Sequence, residues 1–203
     1  MRITIVPLAF FLSAVIFLAS CNSALAYEND IGQSQINPAS PLYFLKAVRE
    51  SLEMHFAQTT NIKLIRSLEF ATRRLREVKS LIPGNRQDLI EPTLDRYWVL
   101  VASLPVPKDL KTASFFAKEI SNNLVIHIQT LEKVYPQISN PRAKMAVRNV
   151  LNRLTDRQDI PSDARAPVCD FFAKEATSSA LNDVEKLVLT SRAQKCYASL
   201  KSL

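Results

Sequence analysis

The chain of 203 residues predicts an all-α fold, an antiparallel bundle of about six to seven amphipathic helices. Three observations carry that prediction. Glycine is nearly absent, two residues against eleven prolines, whereas β-rich folds and phosphate-cradling loops both need glycine for left-handed turns. From Leu64 to Ile82 the apolar residues Leu64, Leu68, Ala71, Leu75, Val78 and Ile82 step by four and three, the seam of a helix packed at a shallow angle. Helix punctuation is explicit: Ser40-Pro41 and Asn140-Pro141 pair a capping side chain with a proline that gives up no needed donor, and Pro83-Gly84-Asn85 is a stop. A chain of this length can bury a sizeable core without help from disulfides.

Residues 1–26 read as an export leader, with Arg2 ahead of the short apolar run Val6–Ala19, which contains Pro7 and ends in small residues. Two processing positions stand open. Leu18-Ala19-Ser20-Cys21 is lipobox-like and would leave Cys21 as an acylated anchor; Ala24-Leu25-Ala26 would release a chain starting at Tyr27. Residues 27–39 are polar and aperiodic, a flexible tether. The bundle then occupies residues 40–203, in a part from 40 to 104 and C-terminal helices from 107 onward.

The first helix, from Ser40, places Leu45, Val48, Leu52 and Phe56 on an inner stripe and Lys46, Arg49, Glu50 and Glu53 largely elsewhere. Opposite the seam of the second helix stand Arg66, Arg73, Arg74, Arg76 and Lys79, relieved by Glu69 and Glu77. This face reads as a solvated stripe with intrahelical pairs such as Glu69–Arg73, or as an anion-binding stripe. A third helix, residues 85–105, runs on Ile90, Leu94, Tyr97, Val101 and Leu104, with Trp98 and Val99 widening its apolar face, and Pro105-Val106-Pro107 forms a rigid joint.

The fourth helix, residues 107–134, is expected to be the longest and central. Ala113, Phe116, Ile120, Leu124, His127, Leu131 and Val134 line it, with Phe115, Val125 and Ile128 alongside. The fifth sets Ala143, Val147, Val150 and Leu154 inside and Arg142, Lys144, Arg148, Arg153 and Arg157 outside. That is the best candidate for an anion-facing patch, against the alternative of a solvated basic face. Residues 162–203 form a closing hairpin, with Val168, Phe172 and Ala176 on one face and Val184, Val188, Cys196 and Leu200 on the other.

Asn182 with Glu185 fits a capping box, putting the hairpin turn near Leu181. Cys169 and Cys196 then lie at nearly equal distances from the turn and come level, whereas a turn at Ser178-Ser179 would offset them by about 10 Å. With Cys21 lipidated or removed, an even pair remains in an oxidising compartment, so a Cys169–Cys196 disulfide is expected, the alternative being two buried thiols.

Ser40-Pro41-Leu42-Tyr43 with Leu45-Lys46 and Glu50, then Ala71, Arg73-Arg74-Leu75 and Glu77, then Leu94 and Tyr97, resemble the family of domain of unknown function 5667. The resemblance covers about residues 37–104. It implies a bacterial helical domain on the outer side of the membrane, found after a signal peptide or beyond a transmembrane helix and in the company of signalling proteins. It implies no activity and supplies no catalytic residues.

The residues themselves offer little chemistry. His55 lies near a helix end, and His127 sits on an inner stripe, where a satisfied core histidine is the usual finding. No Glu-x-x-His, His-Glu-x-x-His, Gly-x-Ser-x-Gly, P-loop or dinucleotide fingerprint occurs. Glu50, Glu53, Glu69 and Glu77 neighbour basic residues on faces read as outer, the setting of ordinary ionised carboxylates. Two cysteines without nearby histidines undersupply a zinc site. No metal or cofactor is expected, and no catalysis. The net charge of +7 suits anionic partners outside the cytoplasm.

The expected function is therefore an exported, non-catalytic interaction module of the bacterial cell envelope. It would bind a partner protein or an anionic envelope polymer or lipid head groups, meeting the membrane only through a lipid anchor and engaging no nucleic acid. The alternatives are an extracytoplasmic sensor working with a separate membrane partner, and an enzyme whose site is too dispersed to read.

Overall fold

Seven α-helices carry the described part of the chain, which in the computed structural model comprises residues 31–107 and 114–201. They are α1 Tyr43–His55, α2 Thr60–Leu81, α3 Ile90–Ala102, α4 Phe115–Val134, α5 Pro141–Thr155, α6 Ser162–Ala176 and α7 Asp183–Lys201. Short 3-10 turns, Gln87–Leu89 and Tyr135–Gln137, lead into α3 and out of α4. No strand occurs among the described residues. The leader, both processing positions, Cys21 and Ala113 lie outside them.

The seam of α2 is the floor of the core. Leu68, Ala71, Leu75 and Val78 are buried against the stripes of α3 (Ile90, Leu94, Tyr97, Val101) and α4 (Ile120, Leu124, Ile128, Leu131). Each such side chain contributes on the order of 1.5–3 kcal/mol by leaving water. Helix α5 closes this layer with Ala143, Val147, Val150 and Leu154. Its start is as read: the Asn140 side chain accepts from the amides of Arg142 and Ala143, with Pro141 in the first turn. Helix α2, at 22 residues, is longer than the 20 described for α4.

Several local readings are corrected. Ser40-Pro41 forms a turn and α1 begins at Tyr43, whose amide donates to the Ser40 carbonyl. After α2 the left-handed position is taken by Asn85 (φ 52°) and not by Gly84; asparagine tolerates that region through local hydrogen bonding. Val99 and Phe115 do not join the core but stand out from it, Phe115 with 84% of its surface exposed. From Ile31 on, the segment read as a tether lies along α2. Ser34 donates its amide to Ser80 Oγ at 2.8 Å, and Ser80 Oγ donates back to the Ser34 carbonyl at 2.9 Å.

The larger correction concerns α1. Its apolar stripe faces away from the protein: Leu45, Val48 and Leu52 are half exposed and Phe56 is 73% exposed, whereas the residue it buries is Glu50. The cause lies in α2, whose apolar seam is already covered by α3 and α4. Only the charged flank of α2 is left for α1, and the polar side of α1 turns to meet it.

The closing hairpin follows its predicted register. Asn182 Oδ1 accepts from the Glu185 amide at 2.9 Å and Glu185 Oε2 accepts from the Asn182 amide at 3.2 Å, a complete capping box. Cys169 and Cys196 are joined by a disulfide with their Cα atoms 5.5 Å apart. Helix α7 is rotated from its expected facing. Leu189, Ala193 and Cys196 are buried, while Val184 and Val188 are exposed.

The hairpin helices pack chiefly on each other, so the bridge holds much of this unit together. Cys196→Ser should cost about 3 kcal/mol, lowering the midpoint of thermal unfolding by roughly 6–12 °C for a domain of this size. Differential scanning calorimetry with and without reductant checks this; equal midpoints for the oxidised protein and the variant would show that the bridge carries no load.

Candidate functional site

Sequence position puts Tyr43, Lys46 and Glu50 on one stripe of α1, at i, i+3 and i+7, and Arg73, Arg74 and Glu77 on the flank of α2 that α1 covers. The structure joins them in one charge cluster. Arg74 is its hub, donating Nη2 to Glu50 Oε2 and Nη1 to both Glu77 oxygens at 2.7 and 2.9 Å and to the Tyr43 hydroxyl. Lys46 Nζ pairs with Glu77 Oε1 at 2.6 Å. The Tyr43 hydroxyl also accepts from Arg96 of α3 at 3.0 Å and donates to Glu77 Oε2 at 3.1 Å. Arg73 pairs with Glu53 at 3.1 Å and stands 3.7 Å from Glu50 Oε1, an oxygen with no hydrogen-bond partner.

Glu77 is fully buried and Arg74 nearly so, which corrects the reading of this face as solvated. The glutamates are likewise not the ordinary surface carboxylates expected, except Glu69, which pairs with Arg66 at 2.6 Å in place of Arg73. Burial holds the Glu50 carboxyl above the usual range against the pull of Arg74. Burial and the Glu77 carboxylate push the Tyr43 hydroxyl up to about 12. Glu53 is also desolvated, but Arg49 and Arg73 outweigh that and keep its carboxyl low.

Beside the cluster, between α1, α2 and α3, opens a cleft of about 440 Å³. Ala47, Phe70, Val99 and Leu100 make its walls apolar, and Glu50, Arg74 and Arg96 give it a charged floor. Every floor cation already has an anion or hydroxyl partner. The arrangement therefore fastens α1 and shapes an apolar recess; it does not present a poised acid–base pair.

The other predicted positions scatter. Arg142 is exposed on α5. Lys144 lies over the Tyr135 ring at 5.3 Å, and Arg153 over Trp98 at 5.3 Å. Arg148 is only 4% exposed and lies between Glu175 and Glu185. Arg157 is buried too, forked onto Asp159 at 2.9 and 2.7 Å and donating to the carbonyls of Val101 and Pro105, so that it caps α3. Of the basic outer face expected of α5, Arg148 and Arg157 are thus spent on internal ion pairs, whereas Arg142 and Arg153 stay exposed.

His55 is exposed. His127 is buried between Thr72 Oγ1, 2.9 Å from Nε2, and the Tyr97 hydroxyl, 3.2 Å from Nδ1. The Thr72 proton goes to the Leu68 carbonyl at 3.0 Å. Nε2 must then carry the ring proton and Nδ1 accept from Tyr97. Burial pushes the imidazole down to about 3, so it is neutral. Among the described residues no group of His, Cys, Asp and Glu is placed to hold a metal ion, and no helix is long and apolar enough to cross a membrane.

Glu77→Gln leaves Arg74 and Lys46 undercompensated and should cost about 3–5 kcal/mol. Glu50→Gln should cost much less at neutral pH. Glu50 binds its proton more tightly when folded, so its contribution is full below the unfolded pKa and fades as pH rises. The advantage of wild type over Glu50→Gln should accordingly shrink as pH rises above the usual glutamate range in urea titrations; an advantage that grows would refute the assignment. His127 has the opposite sign. Its folded pKa is depressed, so its contribution is present above about 6.5 and is lost as pH falls toward about 3. His127→Gln should flatten the acid limb of the stability profile, and an unchanged slope would contradict burial as its cause.

Comparison with known proteins gives one family. A family model described as Domain of unknown function (DUF5667) matches residues 35–141. That span extends past the resemblance read from the residues and takes in the charge cluster, the cleft and α1 through α4. No curated protein and no solved structure matches.

Proposed function

We propose, starting from the fact that the chain belongs to the DUF5667 family, that it is a non-catalytic interaction module of the bacterial cell envelope that docks a partner protein on helix α1. The carrying observation is the inverted amphipathic helix: α1 is anchored by its polar side and holds Leu45, Val48, Leu52 and Phe56 outward. A contiguous apolar stripe on a protein surface marks a contact site. Its spacing suits a helix laid alongside, in the manner of helix-in-groove recognition. The cleft walled by Phe70, Val99 and Leu100 runs beside it and adds depth.

A partner protein is favoured over an anionic polymer at this face because Arg73 and Arg74, and Arg157 beyond it, are engaged internally. Export rests on the leader at residues 1–26, with Cys21 as the point of lipid attachment if cleavage precedes it.

A photo-crosslinker placed at Leu52 in cells should yield one discrete protein adduct from the envelope fraction. The pair Val48→Asp with Leu45→Asp should reduce it by about tenfold or more, the scale of a lost hot spot, with the unfolding midpoint unchanged. No adduct, or an adduct indifferent to the substitutions, would overturn the proposal.

A further inference from the structure

A second recess lies between α5 and α7, apart from the α1 face and outside the family match. It encloses about 140 Å³, and its lining combines Arg148, Asn149, Glu185 and Arg192 with the apolar Met145, Val184 and Val188. Two guanidinium groups against the single lining carboxylate Glu185 leave this small space cationic, and each keeps donors that are not hydrogen-bonded. Arg148 Nη2 donates to Glu185 Oε1 at 3.2 Å, while Nη1 stands 3.5 Å from Glu175 Oε1 and makes no hydrogen bond despite its burial. Arg192 donates to Asn149 Oδ1 at 2.8 Å and meets no carboxylate at ion-pair distance among the described residues. Asp156, its nearby acid, is taken by Lys195 at 2.8 Å. Desolvation first and Arg148 second lower the proton affinity of Arg192, the mark of two like charges held together. The rim is apolar and open, with Val184 72% and Met145 44% exposed.

We infer that this recess is a receptor for a carboxylate attached to an aliphatic group, bound across Arg148 and Arg192 with Met145, Val184 and Val188 gripping its apolar part. A carboxylate matches the planar fork of a guanidinium. A phosphate dianion fits less well, because Glu175 and Glu185 already place negative charge beside Arg148. The carboxylate can be that of a free aliphatic acid or of a glutamate side chain on a polypeptide.

Side-chain Nε resonances of the ¹⁵N-labelled full chain read the site directly. Hexanoate and the tripeptide acetyl-Leu-Glu-Leu-amide are the probes, with hexanamide and the Gln tripeptide as controls. A saturable shift of the Arg192 signal by either acid and by neither control supports the inference. Response to hexanoate alone identifies a free acid as the source, and response to the Glu tripeptide alone a polypeptide. Arg192→Gln should weaken binding about tenfold or more, followed through Arg148, and the exposed Val184→Asp should do the same by repulsion. No saturable shift with either acid, or binding unaffected by both substitutions, would overturn it.

Discussion

Burial of Arg74 between two glutamates is the constraint on which the N-terminal half of the molecule depends. Glu77 supplies the counter-charge from α2 itself and Glu50 the contact from α1, and Glu50 is reachable only if α1 lies polar side down. Removing charges from water costs about as much as their attraction returns. The cluster therefore specifies how α1 sits more than it strengthens the fold. With few apolar contacts under it, α1 belongs to the low-stability end of the structure, where binding elements are commonly found. The same interaction that orients the helix thus leaves its oily side free.

Much of this architecture was legible in the sequence. The seams of α2, α3 and α5 were correctly placed, because periodicity reports which residues share a face. Asn182 and Glu185 were read as a cap because capping is local, and the disulfide followed from that turn. What periodicity does not report is which face a neighbour covers. For α1 periodicity alone makes the apolar stripe the inner one by default, and the default fails because α3 and α4 occupy the seam of α2. The signal that could have revealed this was present: Tyr43, Lys46 and Glu50 form a polar stripe as regular as the apolar one, and they are among the residues on which the family resemblance rests.

The basic face of α5 was misread for a related reason. Arg148 finds its acids on α6 and α7, and Arg157 finds carbonyls on α3 and the following loop. Ion pairs formed across tens of residues leave no trace in local charge pattern, so a helix can look like a solvated cationic rod while some of its arginines are internal. Arg142 and Arg153 stay exposed, as their positions suggest.

His127 has a consequence for specificity. Tyr97, His127 and Thr72 each donate a hydrogen bond onward, ending on the Leu68 carbonyl, in a single direction from α3 through α4 to α2. Grease alone tolerates helices sliding or turning by a residue, since one leucine substitutes for the next. A directional relay of this kind can close in one alignment only, so it works as a key that locks three otherwise interchangeable cylinders to one another.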